Sequence, residues 1–309
     1  MMKNNNMTKD TRPVLVAINC LAFNHGPYIK ECLEGFVMQK TDFRFVAIVH
    51  EDASTDDTAR VIREYAEKYP EIIKPVFETE NQYSKGGFNL LGEIMDKAIY
   101  ETGCKYIAYC EGDDYWTDPY KLQKQVDILE SNSNVMLVHT GFNTVDTNSN
   151  IEFRSYFDRI QKKSHSGEVL RTLFDWNYIM TVSCCVRKEV LDNSLYNNSP
   201  FKRYDYSMFF TAAMMGDISY IKVATCCYRK VPQSITNSRG NELTARLEQI
   251  YEYFADAFIN REYEKHIGMI RRLFILKRIF SHYAKAGKIN TLKEPKGLLP
   301  LLLFRYYKK

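Results

Sequence analysis

Short runs of aliphatic and β-branched residues alternate with stretches whose apolar positions recur every three or four residues. Val14 to Ile18 and Phe45 to Val49 are two such runs, each leading through a polar turn into a helical pattern. After the first, Ile29, Cys32, Leu33, Phe36 and Val37 mark one helix face. After the second, Ser54 and Asp57 stand at capping-box spacing, and Val61, Ile62, Tyr65, Ala66 and Tyr69 follow until Pro70 stops the helix. The pattern predicts a third strand at Pro75 to Phe77, a loop of turn formers at Asn81 to Gly87, a helix from Leu90 to Tyr100 and a fourth strand at Tyr106 to Cys110. Thr117 or Asp118 is then the expected N-cap of a helix with Pro119 at its first position and Leu122, Val126 and Leu129 along its face. Val135 to His139 is a further strand and Asn143 to Asn150 a polar turn region. Ile151 to Lys163 carries no firm pattern and is expected to be a loop. Thr181 to Val186 and Ile218 to Val223 read as strands around a helix at Tyr204 to Met215, and beyond Asn241 the pattern is mainly helical. Such alternation specifies βαβ units, and therefore an α/β fold with a mostly parallel sheet flanked by helices and a helical C-terminal extension.

The fourth strand ends in Glu111-Gly112-Asp113-Asp114. Three carboxylates at a buried strand tip repel one another unless a cation or a shared proton relieves them, so the cluster reads as a divalent-metal site. The helix start just beyond places it in a strand-to-helix loop, on the sheet edge where open α/β folds bind ligands. The second strand ends similarly in Glu51-Asp52. Asp52, at a strand tip, is poorly placed to cap the next helix and is a candidate acceptor for a ring N–H such as that of uracil, whereas Asp56 and Asp57 suit capping. In Lys85-Gly86-Gly87 the glycines allow close backbone approach to a phosphate or sugar and the lysine adds charge, with simple turn chemistry as the alternative. The six histidines show no HExxH spacing, and neither G-x-G-x-x-G nor G-x-x-x-x-G-K-[ST] is present, which sets aside dinucleotide oxidoreductases and phosphate-loop NTPases.

Taken in order, these motifs resemble glycosyltransferase family 2, whose members have the GT-A nucleotide-sugar-binding fold. Val14 to Asn24 is similar to the family's opening strand and its P-T-Y-N turn, here Leu21-Ala22-Phe23-Asn24. Glu51-Asp52-Ala53-Ser54-Thr55-Asp56 is similar to D-D-x-S-x-D, and Glu111 to Asp114 to the D-x-D-D metal motif. The resemblance covers residues 12–140 well and 175–235 more loosely. It implies that Asp52 contacts the base of a nucleotide-sugar donor with Leu21, Ala22 and Asn24 beside it. It also implies that Asp113 is the principal ligand of Mn²⁺ or Mg²⁺, that Glu111 lies near the ribose or the metal, and that Gly112 and Asp114 share that donor-binding loop with them. Tyr204-Asp205-Tyr206 stands where the family has an E-D pair opening a helix, which makes Asp205 the candidate base. Tyr228-Arg229 resembles a late Y-R step, with Arg229 among the donor-binding residues and the neighbouring Ser234 toward the donor phosphates. Glu51 and Glu111 replace aspartates, Leu21 replaces proline and Tyr204 replaces glutamate.

The implied reaction is inverting transfer of one sugar from a nucleoside-diphosphate sugar, a UDP-sugar being expected, to a glycan or lipid-linked saccharide in cell-surface polysaccharide synthesis. The Q-x-x-R-W motif of processive synthases is absent, which favours single addition. A sugar-phosphate nucleotidyltransferase is the enzymatic rival, although its glycine-rich basic first loop is missing. A non-catalytic nucleotide-sugar-binding or membrane scaffold is the other.

Composition changes the picture at one end. The 309 residues carry a net charge of +4, but residues 261–309 hold 13 Lys or Arg against 3 Asp or Glu, or +10, which leaves −6 on residues 1–260. Met269, Leu273, Leu276 and Phe280 recur at helical spacing among basic residues, as in a helix lying on an anionic membrane, or equally in one packed on the catalytic domain with a solvated basic face. No nucleic-acid partner is expected. The eight cysteines show no metal spacing and suit reduced, buried thiols. No signal peptide or run of about 20 apolar residues is seen, so a cytoplasmic location, with contact at the inner membrane face, is expected. The expected division is a polar tail at 1–11, a catalytic domain at 12–240 whose donor half (12–140) precedes an acceptor half (141–240), and the basic extension at 241–309.

Overall fold

Three strand-to-helix units open the chain, as the periodicity requires: β1 (Val14–Ala22) with α1 (Ile29–Val37), β2 (Arg44–Glu51) with α2 (Thr58–Lys68), and β3 (Ile73–Phe77) with α3 (Gln82–Tyr100). These come from a computed structural model that describes residues 10–153, 155–175, 177–231, 249–250, 253–254 and 257. There follow β4 (Tyr106–Tyr109), the two-residue β5 (Tyr115–Trp116), α4 (Lys121–Ser131), β6 (Val135–Val145), α5 (Ser155–Gln161) and α6 (Leu170–Asp175). A 3₁₀ turn at Thr181–Ser183 leads into β7 (Cys185–Arg187), then α7 (Lys188–Asp192), α8 (Ser194–Asn197), α9 (Asp205–Met215) and β8 (Asp217–Arg229). Of the expected extension from 241 onward only residues 249–250, 253–254 and 257 are described, with Ile250 and Phe254 buried in the core and the Phe254 ring stacked on Phe210; the Met269 to Lys288 helix, Ser234 and residues 1–9 of the polar tail lie outside the described residues.

The eight strands form one sheet in the order β3-β2-β1-β4-β7-β6-β8-β5. β1, β2, β3 and β4 are mutually parallel, β7 is antiparallel to both β4 and β6, and β8 runs parallel to β6. Fully buried residues from both faces of the sheet, among them Ile18, Leu33, Ile62, Tyr106, Leu137 and Phe209, join in one core. This is an α/β fold with helices packed on a curled sheet.

Several elements differ from the sequence reading. The expected loop at Asn81 to Gly87 is the first turn of α3, begun by the Asn81 side chain accepting from Ser84 N–H at 2.6 Å. Gly87, at φ +59° and ψ −152°, then kinks the helix in a conformation that only glycine adopts readily. β6 runs on through Asn143 to Val145, because ten residues of β8 extend alongside it and satisfy its backbone groups. α4 starts at Lys121 and not at Pro119, since the Asp118 carboxylate accepts from Tyr120 N–H at 2.8 Å and forms a separate turn. α2 is opened by Asp56, which accepts from Thr58 N–H at 2.9 Å, and not by a Ser54–Asp57 box. The patternless stretch at 151–163 contains α5.

Candidate active site

The tips of β1, β2 and β4 meet on one edge because the strands are parallel, and main-chain bonds fasten the loops to one another. Asp52 N–H donates to the Ala22 carbonyl at 3.0 Å and Gly112 N–H to the Leu21 carbonyl at 2.9 Å. Leu21 and Ala22 therefore contribute their carbonyls to loop assembly, and the Ala22 side chain is buried in the core. Asn24 sits at φ +52°, a conformation asparagine tolerates better than most. Its Oδ1 accepts from Thr55 N–H at 2.9 Å and its N–H donates to Ser54 Oγ at 2.9 Å. Asn24 is thus a clamp between two loops. Gly112 allows the acid loop to pack closely: a Cβ there would lie 2.7 Å from His25 Nδ1 and 3.1 Å from the Ala22 Cβ.

The acids divide by exposure. Glu111 and Asp113 are half-buried at the loop's outer side. Desolvation, and then the charge of Asp113, pushes the Glu111 carboxyl up to about 8, and Asp205 adds to the effect. Asp114 is buried and its Oδ1 accepts from Arg229 N–H at 2.8 Å, so it points away from the cleft and does not share the donor-facing position expected of it. Arg229 is likewise committed elsewhere. Its guanidinium donates to the carbonyls of Asp113 (2.8 Å) and Asp146 (2.9 Å), to Ser149 Oγ (3.1 Å) and to Glu31 Oε2 (2.5 Å), and it stacks over Tyr28 at 4.7 Å. Buried with every one of those contacts inside the protein, it staples the acid loop to β8 and is not free to reach donor phosphates.

Asp52 does cap a helix, contrary to the reading of its strand-tip position. Its carboxylate accepts from Gln82 N–H at 2.6 Å and Tyr83 N–H at 3.1 Å, which binds the first turn of α3 to the β2 tip. Lys85 pairs with Glu80 on the surface and Gly86 packs on Leu90, so neither is drawn into the acid cluster here. Asp205 opens α9 at an exposed position. Crowding by surrounding protein raises its carboxyl above the usual range, opposed by Tyr206 N–H (2.8 Å) and the Thr181 hydroxyl (3.2 Å), both donating to it. Glu111, Asp113 and Asp205 consequently share one electrostatic neighbourhood. Oxygen donors of this kind suit Mg²⁺ or Mn²⁺. Among the described residues, no three His, Cys, Asp or Glu side chains close on a common point, so such an ion would complete its shell with water and substrate phosphate.

The sequence profile described as glycosyl transferase family 2 matches residues 20–195, more than half of the chain. The chain belongs to glycosyl transferase family 2. It is 29% identical over 293 residues to an uncharacterized protein of Mycobacterium tuberculosis, covering 86% of this chain and 80% of that one. Among solved structures, the 1–349 segment of Staphylococcus aureus TarS in complex with UDP is similar at TM-score 0.59 and 17% identity, covering 93% of this chain and 78% of that segment. The mannosyltransferase PcManGT from Pyrobaculum calidifontis, in complex with GDP-Man and Mn²⁺, is similar at TM-score 0.54 and 17% identity, covering 96% of this chain and 85% of that one. The fold is that of the GT-A glycosyltransferases, and the chain is a glycosyltransferase. No described helix is long and apolar enough to cross a membrane.

Sequence reasoning passes over several residues that this family 2 site brings together. Phe23 is 43% exposed at the β1 tip, where a large ring beside a polar turn is itself a signal. His25 lies against Gly112, within electrostatic reach of Asp113 and Asp56. Tyr83, Phe88 and Tyr204 form an aromatic series, with centroids 5.1 and 6.2 Å apart, that runs from the Asp52-bound turn to the residue before Asp205. Thr181 carries no motif and is visible only once the chain is folded.

Proposed function

We propose that this glycosyltransferase moves a single sugar, with inversion, from a nucleoside-diphosphate sugar to a hydroxyl of a glycan or lipid-linked saccharide in cell-surface polysaccharide synthesis. A UDP-sugar is the expected donor. The observation that carries the reading is Glu111 at the carboxyl edge of a family 2 sheet, where desolvation and the charges of Asp113 and Asp205 raise its carboxyl and favour a nearby positive charge. The complexes of TarS with UDP and of PcManGT with GDP-Man and Mn²⁺ support a nucleotide sugar as donor.

In this reading Asp113 and Glu111 hold a Mn²⁺ or Mg²⁺ ion, which when bound supplies positive charge to a departing diphosphate. Phe23 offers its exposed face to the nucleotide base and Asp52 an acceptor for a base N–H. Asp205 takes the proton of the acceptor hydroxyl as that oxygen attacks the anomeric carbon opposite the leaving group. Its carboxyl is raised above the ordinary range by the surrounding protein, which makes it the stronger base for that proton. Half-buried Tyr83, Phe88 and Tyr204 suit a pyranose ring, whose C–H faces pack on aromatic surface. The basic segment from Arg261 onward is proposed to reach an anionic bilayer, and flotation with liposomes of a full chain but not one cut near Ile267 is the expected result.

A panel of UDP- and GDP-sugars incubated with the full chain and Mn²⁺ tests the reaction. Release of UDP or GDP upon addition of saccharide acceptors is expected. Formation of UTP or GTP with a sugar 1-phosphate when pyrophosphate is added to the same panel would instead place the chain with the nucleotidyltransferases, and inactivity across the panel would leave the binding-protein rival standing.

A further inference from the structure

The Thr181–Ser183 turn is clamped by the stretch of chain around and after the acid loop. Trp116 Nε1–H donates to the Val182 carbonyl at 3.0 Å, Gln125 Nε2–H to the carbonyls of Ser183 (2.8 Å) and Val138 (2.9 Å), and Tyr109 N–H to that of Cys184 (3.3 Å). Within the turn, Ser183 Oγ–H donates to the Met180 carbonyl at 2.6 Å. The remaining hydroxyl, on Thr181, is the one that reaches Asp205 Oδ2.

Beneath the turn lies Lys121, 0% exposed, its Nζ donating to Gln125 Oε1 at 2.7 Å and standing 4.4 Å from the centre of the Trp116 ring. Burying an amine is costly, and a leucine or methionine would fill the volume without that penalty. What the amine adds is direction. An ammonium N–H can meet only the oxygen end of the Gln125 amide and the Ser183 and Val138 carbonyls only its NH₂ end, so the three contacts together fix one orientation of the amide. Gln125 and Ser183 are 0% exposed and Trp116 only 2%, so water does not compete for these bonds. Trp116 also follows Asp114 by two residues, which makes the acid loop and the turn parts of one rigid block.

We infer that Trp116, Lys121 and Gln125 are a positioning set for Asp205: they fix the Thr181–Ser183 turn so that the Thr181 hydroxyl aims the carboxylate at the acceptor. This rests on Asp205 being the base. Neither Thr181 nor the three buried residues touches the acceptor, so their effect passes through the geometry of that carboxylate.

The test uses the full chain with Mn²⁺ and whichever UDP- or GDP-sugar it turns over. Thr181→Val should lower kcat roughly 10- to 100-fold, the scale of a small misplacement of a reacting group, with donor KM and calorimetric donor affinity unchanged. Thr181→Ser should recover most of the rate. Trp116→Phe keeps a ring beside Lys121 but deletes the N–H, and should lower kcat by a smaller factor with melting temperature nearly constant. Added to Asp205→Asn, Thr181→Val should bring no further loss, because the two act as one unit. The inference is overturned if Thr181→Val stays within about twofold of the parent rate, if serine fails to restore it, or if the two losses multiply. Full activity of Asp205→Asn would instead remove the base assignment itself. An inactive Asp205→Asn beside a normal Thr181→Val sinks the positioning set alone.

Discussion

β3, β2, β1 and β4 run parallel and deliver their loops to a single edge, so Ala22, Asp52 and Glu111 become neighbours through topology alone. In the other half, β7 opposes both of its neighbours, and the groups that reach the cleft do so through side-chain fastenings: Arg229 across to Asp113 and Glu31, Thr181 to Asp205, Gln125 to Ser183. Parallel strands bring the loops together by topology, and main-chain bonds with the Asn24 clamp then fasten them. The mixed half depends on individual hydrogen bonds, and single substitutions there should do more damage.

The sharpest division concerns chemistry against binding. Asp205→Asn, in the mixed half, should lower kcat by about 10² to 10⁴ while leaving donor affinity nearly intact, whereas Asp113→Ala, in the parallel half, should weaken Mn²⁺-dependent donor binding as well as turnover. Steady-state kinetics beside calorimetry would separate them, and a loss of donor affinity in Asp205→Asn would blur the division. Next in size is Arg229→Leu, which leaves the Asp113 and Asp146 carbonyls without this donor, while Glu31 keeps the Ser149 hydroxyl, and should lower stability by about 2–4 kcal/mol in denaturant titrations. A loss below about 1 kcal/mol would mean that the staple is dispensable.

Acid offers a third route. His139 on β6 is 1% exposed, and burial holds its imidazole down to about 3. Because the unfolded chain accepts the proton near the ordinary value of about 6.5, this contribution is intact above that pH and is lost as pH falls from there toward 3, roughly 2 kcal/mol by pH 5. Melting curves should show His139→Phe flattening the acid limb by that amount, and an unchanged limb would exclude His139 as its source. The smallest effect expected is in the parallel half: Gly87→Ala forces a side chain into the positive-φ kink of α3 and should cost about 1–2 kcal/mol without altering kcat. A large fall in kcat would instead link that kink to catalysis.

This asymmetry also decides what could be read from the sequence. In the parallel half each strand, turn and helix is a local pattern, so β1, β2, α1 and α2 and the acid loop stand out in the sequence, and family 2 with them. The roles of Asp52, Asp114 and Arg229 were not legible, because their partners lie 30 to 198 residues away. Asp113 and Asp114 show the limit most plainly: of these adjacent carboxylates one is half-buried and the other is buried against the Arg229 N–H, a partner that lies far along the chain. β6 and β8 exceeded their expected lengths for the same reason, since each extends only because the other is beside it.

The ends of the sheet have a consequence for how copies of this chain can meet. One border is β3, five residues with Pro75 at its centre, and the other is the two-residue β5. The length of β8 left uncovered by β5 is broken where its register jumps between Ile221 and Ala224, with Lys222 in the gap. Proline, a bulge and a lysine each interrupt the row of free amide and carbonyl groups that an incoming strand would need. Among the described residues, both borders of the sheet therefore oppose self-association by ribbon extension, which turns contact between copies toward side-chain surfaces.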